Sequence, residues 1–162
     1  MIEVRELGDN EIKELLSRVC YCHLGCTDGT EPYVVPVHYA YESPYIYVYT
    51  TEGKKSDILS RNPRVCLQIE EVKDNRDWKS VIVQGEAEQL FEEAQRTKAL
   101  DAVLKVNPSL TPAVSIHWMD NWVRENIEVI YRIVPLELSG RAGVAKSESR
   151  TPFVPHKKME ME

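Results

Sequence analysis

The sequence predicts a mainly β domain of the α+β class, a six-stranded barrel with flanking helices. Three observations predict it. Six stretches carry the two-residue alternation of strands and are bounded by turn residues. Three other stretches carry helical spacing or helix-stop signals. The chain has 162 residues, 43% of them hydrophobic, which suits one domain with its own core.

Taken in order, Asp9 is a good N-cap, and Ile12, Leu15, Leu16 and Val19 recur at helical spacing. This first helix is expected to close one end of the barrel. Val19 to Cys26 reads as the first strand, and Thr27-Asp28-Gly29-Thr30 as a turn, because Asp-Gly is a strong hairpin signal. In the second strand Tyr33, Val35, Val37, Tyr39 and Tyr41 share one face, and Val34, Pro36, His38 and Ala40 take the other. Both faces are largely apolar, so the strand is expected to be covered on each side. Pro36 cannot donate a ladder hydrogen bond and needs an edge or a bulge. Glu42, Ser43 and Pro44 turn the chain into the third strand, Tyr45 to Thr50.

Ser56 to Arg61 is a short helix stopped by Asn62-Pro63. Val65 to Val72 is the fourth strand, with Val65, Leu67 and Ile69 on one face. Lys73 to Asp77 is a charged loop. Trp78 to Leu90 is the fifth strand, with Ser80, Ile82 and Gln84 on one face and Gly85 marking a bulge or a close approach. Glu92 to Val106 is a helix with Ala99, Val103 and Val106 on its packing stripe, and two prolines end it between Asn107 and Pro112. Trp118 and Trp122, four apart, fit a shared helical face with a packing role. Ile127 to Leu138 is the sixth strand. Residues 1–140 form the domain, and Arg141 to Glu162 form a polar tail.

The chemistry gathers after the hairpin. Thr50 and Thr51 offer hydroxyls, Gly53 lets a ligand approach the backbone, and Lys54 and Lys55 supply two positive charges. A helix start beside two lysines favours an anion such as a phosphate. The same residues also fit an ordinary hairpin followed by a solvated lysine pair. The irregularity at Pro36 leaves backbone groups of Val35, Pro36 and Val37 free to meet a ligand.

The runs YVVPVHYAY, IYVYTTEGKK and NPRV resemble the pyridoxamine 5'-phosphate oxidase-like family of FMN-binding split barrels. Within that family the likeness is to small flavin-nucleotide-binding proteins related to nitroimidazole-resistance proteins. It covers Glu11 to Gly140, and its most specific mark is Lys55, seven residues before Asn62. The resemblance implies a Greek-key split β-barrel and a homodimer with FMN at sites between the subunits. It implies that Lys54 and Lys55 neutralise the phosphate, that Thr50 or Thr51 donates to it, and that Val35, Pro36 and Val37 run along the isoalloxazine edge. Tyr49 is counted with these residues as flavin-binding; it stands where nitroimidazole-resistance relatives often carry a His, so nitroreduction is not implied. The run WKSVIVQGEAEQL resembles the family segment near the flavin, which brings in Ser80 and Gln84. Alternation alone does not say whether those two meet ligand or solvent.

The implied function is an FMN-dependent oxidoreductase of unknown substrate. Alternatives are a flavin store without turnover and a haem-binding relative, with His23, His38, His117 or His156 as axial ligand. Pyridoxamine phosphate oxidation itself is not expected, since the basic C-terminal motif of that enzyme is missing from Arg141 to Glu162. His38 is the nearest acid–base candidate by position.

Composition narrows the classes. A net charge of −6 argues against nucleic acid. No apolar run approaches a membrane span, and the acidic N-terminus is unlike a signal peptide, so the expected compartment is the cytoplasm. Cys20, Cys22, His23 and Cys26 lack the spacing of a zinc or haem motif. They are expected to be reduced, buried cysteines and not a metal site. No G-x-S-x-G, H-E-x-x-H or G-x-G-x-x-G pattern is present.

Overall fold

The computed structural model describes residues 2–108, 117–119, 122–124 and 128–145. In chain order its elements are β1 (Ile2–Glu6), α1 (Asp9–Arg18), β2 (Tyr21–Thr27), β3 (Pro32–Glu42), β4 (Tyr45–Thr51), α2 (Lys54–Arg61), β5 (Arg64–Val72), β6 (Trp78–Gln89), α3 (Glu93–Val106), β7 (His117–Met119), β8 (Trp122–Arg124) and β9 (Glu128–Ala145). Six antiparallel strands close a ring in the order β9-β4-β3-β2-β5-β6, with β6 returning to β9. These are the six strands that alternation predicts.

The seventh strand of the sheet is β1, which pairs with the far end of β9 from Ile2↔Ala145 to Glu6↔Arg141. It corrects the expected count of six. Five residues carry too few periods to be read as a strand, and their partner lies at the opposite end of the sequence. Strand β9 also runs past Leu138 to Ala145. One edge of β9 pairs with β6 throughout Tyr131–Gly143. The other edge pairs with β4 up to Ile133 and with β1 from Arg141. Between those two stretches no described strand covers it, and the barrel is split there. Helix α1 sits beside the gap: the Leu7 N–H donates to the Gly140 carbonyl at 2.9 Å. A Cβ on Gly140 would meet Leu7 Cδ1 at 2.9 Å and Ile12 Cγ1 of the helix at 3.1 Å, so glycine is what lets this segment approach.

Helix α1 begins one residue earlier than expected, with Asp9 inside its first turn. Gly8 is its N-cap, with Asp9 and Glu11 in the first turn and Arg18 in the last, each favourable to the helix dipole. It buries Ile12, Leu15 and Leu16 against the barrel. The barrel interior is a single cluster that includes Leu24, Tyr39, Ile46, Val48, Leu67, Ile69, Val81, Val83 and Ile133. A second cluster lies between α3 and the sheet, built from Ala40, Tyr47, Tyr49, Leu90, Ala99, Ala102, Val103 and Ile130. Strand β3 is covered less evenly than its composition suggests. Its Tyr39 face is inside, but on the other face only Ala40 is buried, while Val34, Pro36 and His38 are exposed. Trp118 and Trp122 do not share a helix: they lie on β7 and β8, paired as Trp118↔Val123 and Met119↔Trp122. Their packing, Pro112 and the tail beyond Ala145, with His156, lie outside what the structure describes.

Two buried tyrosines should respond oppositely to loss of the hydroxyl. The Tyr39 hydroxyl donates to the Leu16 carbonyl at 2.9 Å, one of the end-of-helix acceptors with no partner further along α1. The Tyr131 hydroxyl is buried with no hydrogen-bond partner among the described residues. Tyr39→Phe is therefore expected to cost about 1–1.5 kcal/mol, and Tyr131→Phe to leave stability unchanged or raise it. Urea midpoints of the two variants against the parent protein check this.

The described cysteines are free, Cys22 and Cys26 buried and Cys20 and Cys66 half-buried. No cluster of three metal-binding side chains occurs among the described residues, and no described helix is long and apolar enough to cross a membrane. Burial pushes the Cys22 thiol from 9.0 up to about 12. Above its ordinary value the unfolded chain sheds this proton while the folded chain keeps it, so the folded state binds more protons and stability falls with pH. Stability is therefore expected to decline between pH 9.0 and about 12, and less steeply in Cys22→Ala. Denaturant midpoints over a pH series measure the slope.

Candidate functional site

The site that the sequence suggests lies at one end of the barrel, where β4 passes into α2. Gly53 caps α2 and its backbone is extended, with no left-handed strain. Its N–H is taken by Ser56 Oγ at 2.9 Å, and Asp57 N–H returns to the Gly53 carbonyl at 3.1 Å. The orphan N–H groups of the first turn are thus those of Lys54, Lys55 and Ser56. The other end of α2 is fixed by Asn62. Its Nδ2 donates to the Thr27 carbonyl at 3.0 Å, and its Oδ1 accepts from Arg64 N–H at 3.2 Å. The seven-residue spacing from Lys55 to Asn62 therefore runs from the first turn of this helix to its C-cap. It holds the lysine at the start and a tether to the β2–β3 turn at the end. That turn is itself set by Asp28, whose Oδ1 accepts from Thr30 and Glu31 N–H, and by Gly29 at φ 99°.

The two lysines differ. Lys54 is exposed, its Nζ 5.0 Å from the centre of the Tyr33 ring and 4.0 Å from the Glu31 carboxylate. Lys55 is half-buried, and its Nζ donates to the Thr51 carbonyl at 3.2 Å. No carboxylate among the described residues pairs with it. Burial holds its pKa below the ordinary lysine range, with the Cys26 thiol nearby acting in the other direction. A half-buried ammonium with one carbonyl acceptor keeps two donors for something else.

Thr50 and Thr51 are half-buried at the end of β4, opposite Val129 and Glu128 of β9. Alternation sends Thr50 to the side of Ile46 and Val48, toward the barrel interior, and Thr51 to the α3 side. Tyr49 also lies on the α3 side, within the second cluster, and its hydroxyl donates to the Glu128 carboxylate at 2.5 Å. Its side chain is thus turned away from the lysine corner. Val35 and Val37 point inward and Pro36 outward. The β3–β4 pairing begins only at His38↔Tyr49, so Pro32 to Val37 has an open edge on the β4 side. Tyr39 N–H points the other way, to the Cys20 carbonyl, so by alternation the missing donor of Pro36 falls on the open edge. Proline is tolerated there for that reason.

Ser80 and Gln84 are outward on β6. They share the outer sheet face with Pro36, but β2 and β5 stand between. Three inter-strand steps of roughly 4.8 Å put them about 14 Å from it. Within one protomer the structure does not bring them to the lysines. Ser80 Oγ instead accepts from Gln68 Nε2 at 3.3 Å.

Sequence reasoning missed two side-chain pairs made by outward histidines, one across strands and one to the end of α3. His23 Nδ1 lies 3.1 Å from Gln68 Oε1, and His38 Nδ1 lies 3.2 Å from Asn107 Oδ1. Alternation places the histidines outward, but only strand order and register show which side chains they meet. A cleft of about 580 Å³ opens farther round the outer face, lined by Trp78, Ser80, Ile82, Leu138 and Arg141 together with Leu7 and Ile12. It adjoins Ser80 and lies away from the lysine corner.

A sequence profile described as pyridoxamine 5'-phosphate oxidase matches residues 8–142. Among solved structures, a FAD-binding protein from Mesorhizobium loti is 31% identical, with a TM-score of 0.72, over 90% of this chain and 100% of that one. A FAD-binding protein from Mycobacterium smegmatis is 22% identical, with a TM-score of 0.64, over 87% of this chain and 99% of that one, and shares the fold. An uncharacterised protein of Rhizobium meliloti (strain 1021) is 36% identical over 87 residues, 54% of this chain and 58% of that protein. The chain thus matches little more than half the length of this curated relative.

Proposed function

The chain belongs to the pyridoxamine 5'-phosphate oxidase family, and from that premise we propose that it is an FMN-dependent oxidoreductase working as a homodimer in the cytoplasm. One observation carries the reading. Lys55 is a half-buried cation with no carboxylate partner among the described residues, at the start of α2 and beside the open edge of β3. A phosphate dianion supplies the missing charge. The orphan N–H groups of α2 and the Lys54 ammonium add donors from the same side.

The flavin ring, when bound, supplies the redox chemistry. The chain's own part is to hold it. Lys54 and Lys55 take the phosphate, with Thr50 or Thr51 donating, and the open edge of β3 along Val35, Pro36 and Val37, where the Pro36 carbonyl is the group left facing out, meets the ring edge. Ser80 and Gln84 are too far away in the same protomer, so in this reading they reach the flavin of a second copy. The exposed apolar side chains Val34, Leu136 and Leu138 on the outer surface suit burial in such a dimer. FMN is proposed over FAD because the positive charge sits at one corner and suits one terminal phosphate.

The test is titration of the cofactor-free protein with FMN, FAD and riboflavin, followed by sedimentation. FMN is expected to bind most tightly, and the protein to sediment as a dimer. A haem Soret band in the purified protein in place of the flavin spectrum would refute the cofactor, and a monomer saturated with FMN would refute the shared site. Reoxidation of the bound reduced flavin by added acceptors separates an oxidoreductase from a flavin store.

A further inference from the structure

Strand β2 turns Cys22, Leu24 and Cys26 inward and Tyr21, His23 and Gly25 outward. Its register with β3 sets Tyr21 opposite His38 and His23 opposite Pro36. His23 therefore stands on the outer face at the middle of the Val35–Val37 stretch. The Tyr21 ring is edge-on to both imidazoles, with centroids 5.5 Å from His23 and 6.0 Å from His38.

The hydrogen bonds fix the tautomer of His23. Gln68 Nε2 donates to the Glu70 carboxylate at 3.0 Å and to Ser80 Oγ at 3.3 Å. A carboxylate only accepts, so the amide nitrogen must face Glu70 and the amide oxygen must face His23. Gln68 Oε1 in turn requires a donor, so His23 carries its hydrogen on Nδ1. The neutral ring then has a bare Nε2, with no hydrogen-bond partner among the described residues. This is how a protein holds an imidazole for proton exchange: one nitrogen anchored, the other presented. His38 is anchored in the same way by Asn107, whose Nδ2 donates to the Tyr39 and Val103 carbonyls, but it is the more exposed ring and lies beyond Pro36 toward α3.

We infer that His23 exchanges a proton with the substrate through Nε2 and that Gln68 is its positioning residue. The inference rests on the flavin reading given above. The substrate class is a carbonyl-type acceptor such as a quinone, whose oxygen must gain a proton as it is reduced. That acceptor takes a hydride from the reduced flavin and a proton from the His23 imidazolium. The flavin gives up two electrons, and the acceptor gains two electrons and two hydrogens. The imidazole is left neutral, with its Nδ1–H still on Gln68, and recovers its proton from water. The titratable groups around His23 are Tyr21 on its own strand, His38 on β3, and Cys66 and Glu70 on β5.

Two measurements test it. Nitrogen-15 NMR of the cofactor-free protein should show His23 as the Nδ1–H tautomer, with that preference lost in Gln68→Leu. An Nε2–H tautomer in the parent protein would overturn the inference without any flavin present. The FMN-loaded protein is then photoreduced without oxygen and mixed with menadione, which needs a proton, or ferricyanide, which takes electrons alone. His23→Phe is expected to slow the menadione reaction at least about tenfold and to flatten its pH profile, while the ferricyanide reaction keeps its rate. Gln68→Leu should move the midpoint of that profile. His23→Gln repeats the test should the larger ring disturb folding, with FMN affinity as the control. Equal slowing of both acceptors, or the effect appearing in His38→Phe and not in His23→Phe, would overturn the assignment. Failure of the parent protein to take up flavin would instead remove the flavin reading, and this inference with it.

Discussion

Lys55→Glu is expected to weaken FMN binding by at least about tenfold and to leave riboflavin binding nearly unchanged. A charge-assisted contact of a partly buried ammonium to phosphate contributes on the order of 1.5–3 kcal/mol, and 1.4 kcal/mol is a factor of ten. The substitution removes that contact and sets a carboxylate against the phosphate. Riboflavin has no phosphate and feels neither change. Because Lys55 is half-buried and its Nζ reaches the Thr51 carbonyl, the carboxylate could also disturb the end of β4. Lys55→Met keeps the apolar stem without the charge, and it should lose FMN affinity while unfolding at the parent's urea concentration. Calorimetric titration with both flavins decides. Unchanged FMN affinity in a folded Lys55→Met protein would place the phosphate elsewhere, and equal losses for the two flavins would mean the hairpin itself had moved.

Gly85→Val is expected to have the largest effect on stability. The register between β6 and β9 steps at this point, from Gln84↔Glu137 to Gly85↔Pro135, so Leu136 is the extra residue of a bulge. A Cβ on Gly85 would come to 2.6 Å from the Val134 carbonyl oxygen, which is backbone and cannot rotate away. Relief requires the two longest strands of the ring to part. Overpacking of this kind costs about 3 kcal/mol, which for a domain of this size lowers the melting temperature by roughly 6–12 °C. Gly25→Ala is the control. Its new carbon meets ordinary contacts at 3.6 Å and beyond, and a change within about 0.5 kcal/mol is expected. Scanning calorimetry of the two variants tests the contrast.

The parts of the fold that could be read from the sequence are those where one face is buried and the period is long enough to count. Strand β3 is the clearest: Tyr33, Val35, Val37, Tyr39 and Tyr41 all pack on the interior. The bulge at Gly85 was also legible, because a lone glycine in a strand has few other reasons to be there. Strand β1 was not, since five residues have meaning only beside a partner some 140 positions away. Nor was the end of β9. Ser139 to Gly143 reads as polar and glycine-rich, but Gly140 admits Leu7 and Ile12, and Gly143 lies against the Trp78 indole. Those glycines serve neighbours that the local sequence does not name. In the site, Lys55 was visible because its spacing to Asn62 runs from the first turn of α2 to its C-cap, within one stretch of chain. The His23–Gln68 pair was not, because it joins residues 45 apart across two strands.

The ring has a consequence for how the chain reaches its native state. Strand β9 is the piece that closes it, bridging β4 to β6, and it comes last among the described strands. During synthesis β2 to β6 can pair among themselves as soon as they leave the ribosome, yet β4 and β6 must then wait with bare edges for some 40 residues more. Contacts between such distant positions make for slow folding and a long exposure to misassociation. Chains released early, before Glu128, would carry two such edges and should be the ones that aggregate or are degraded.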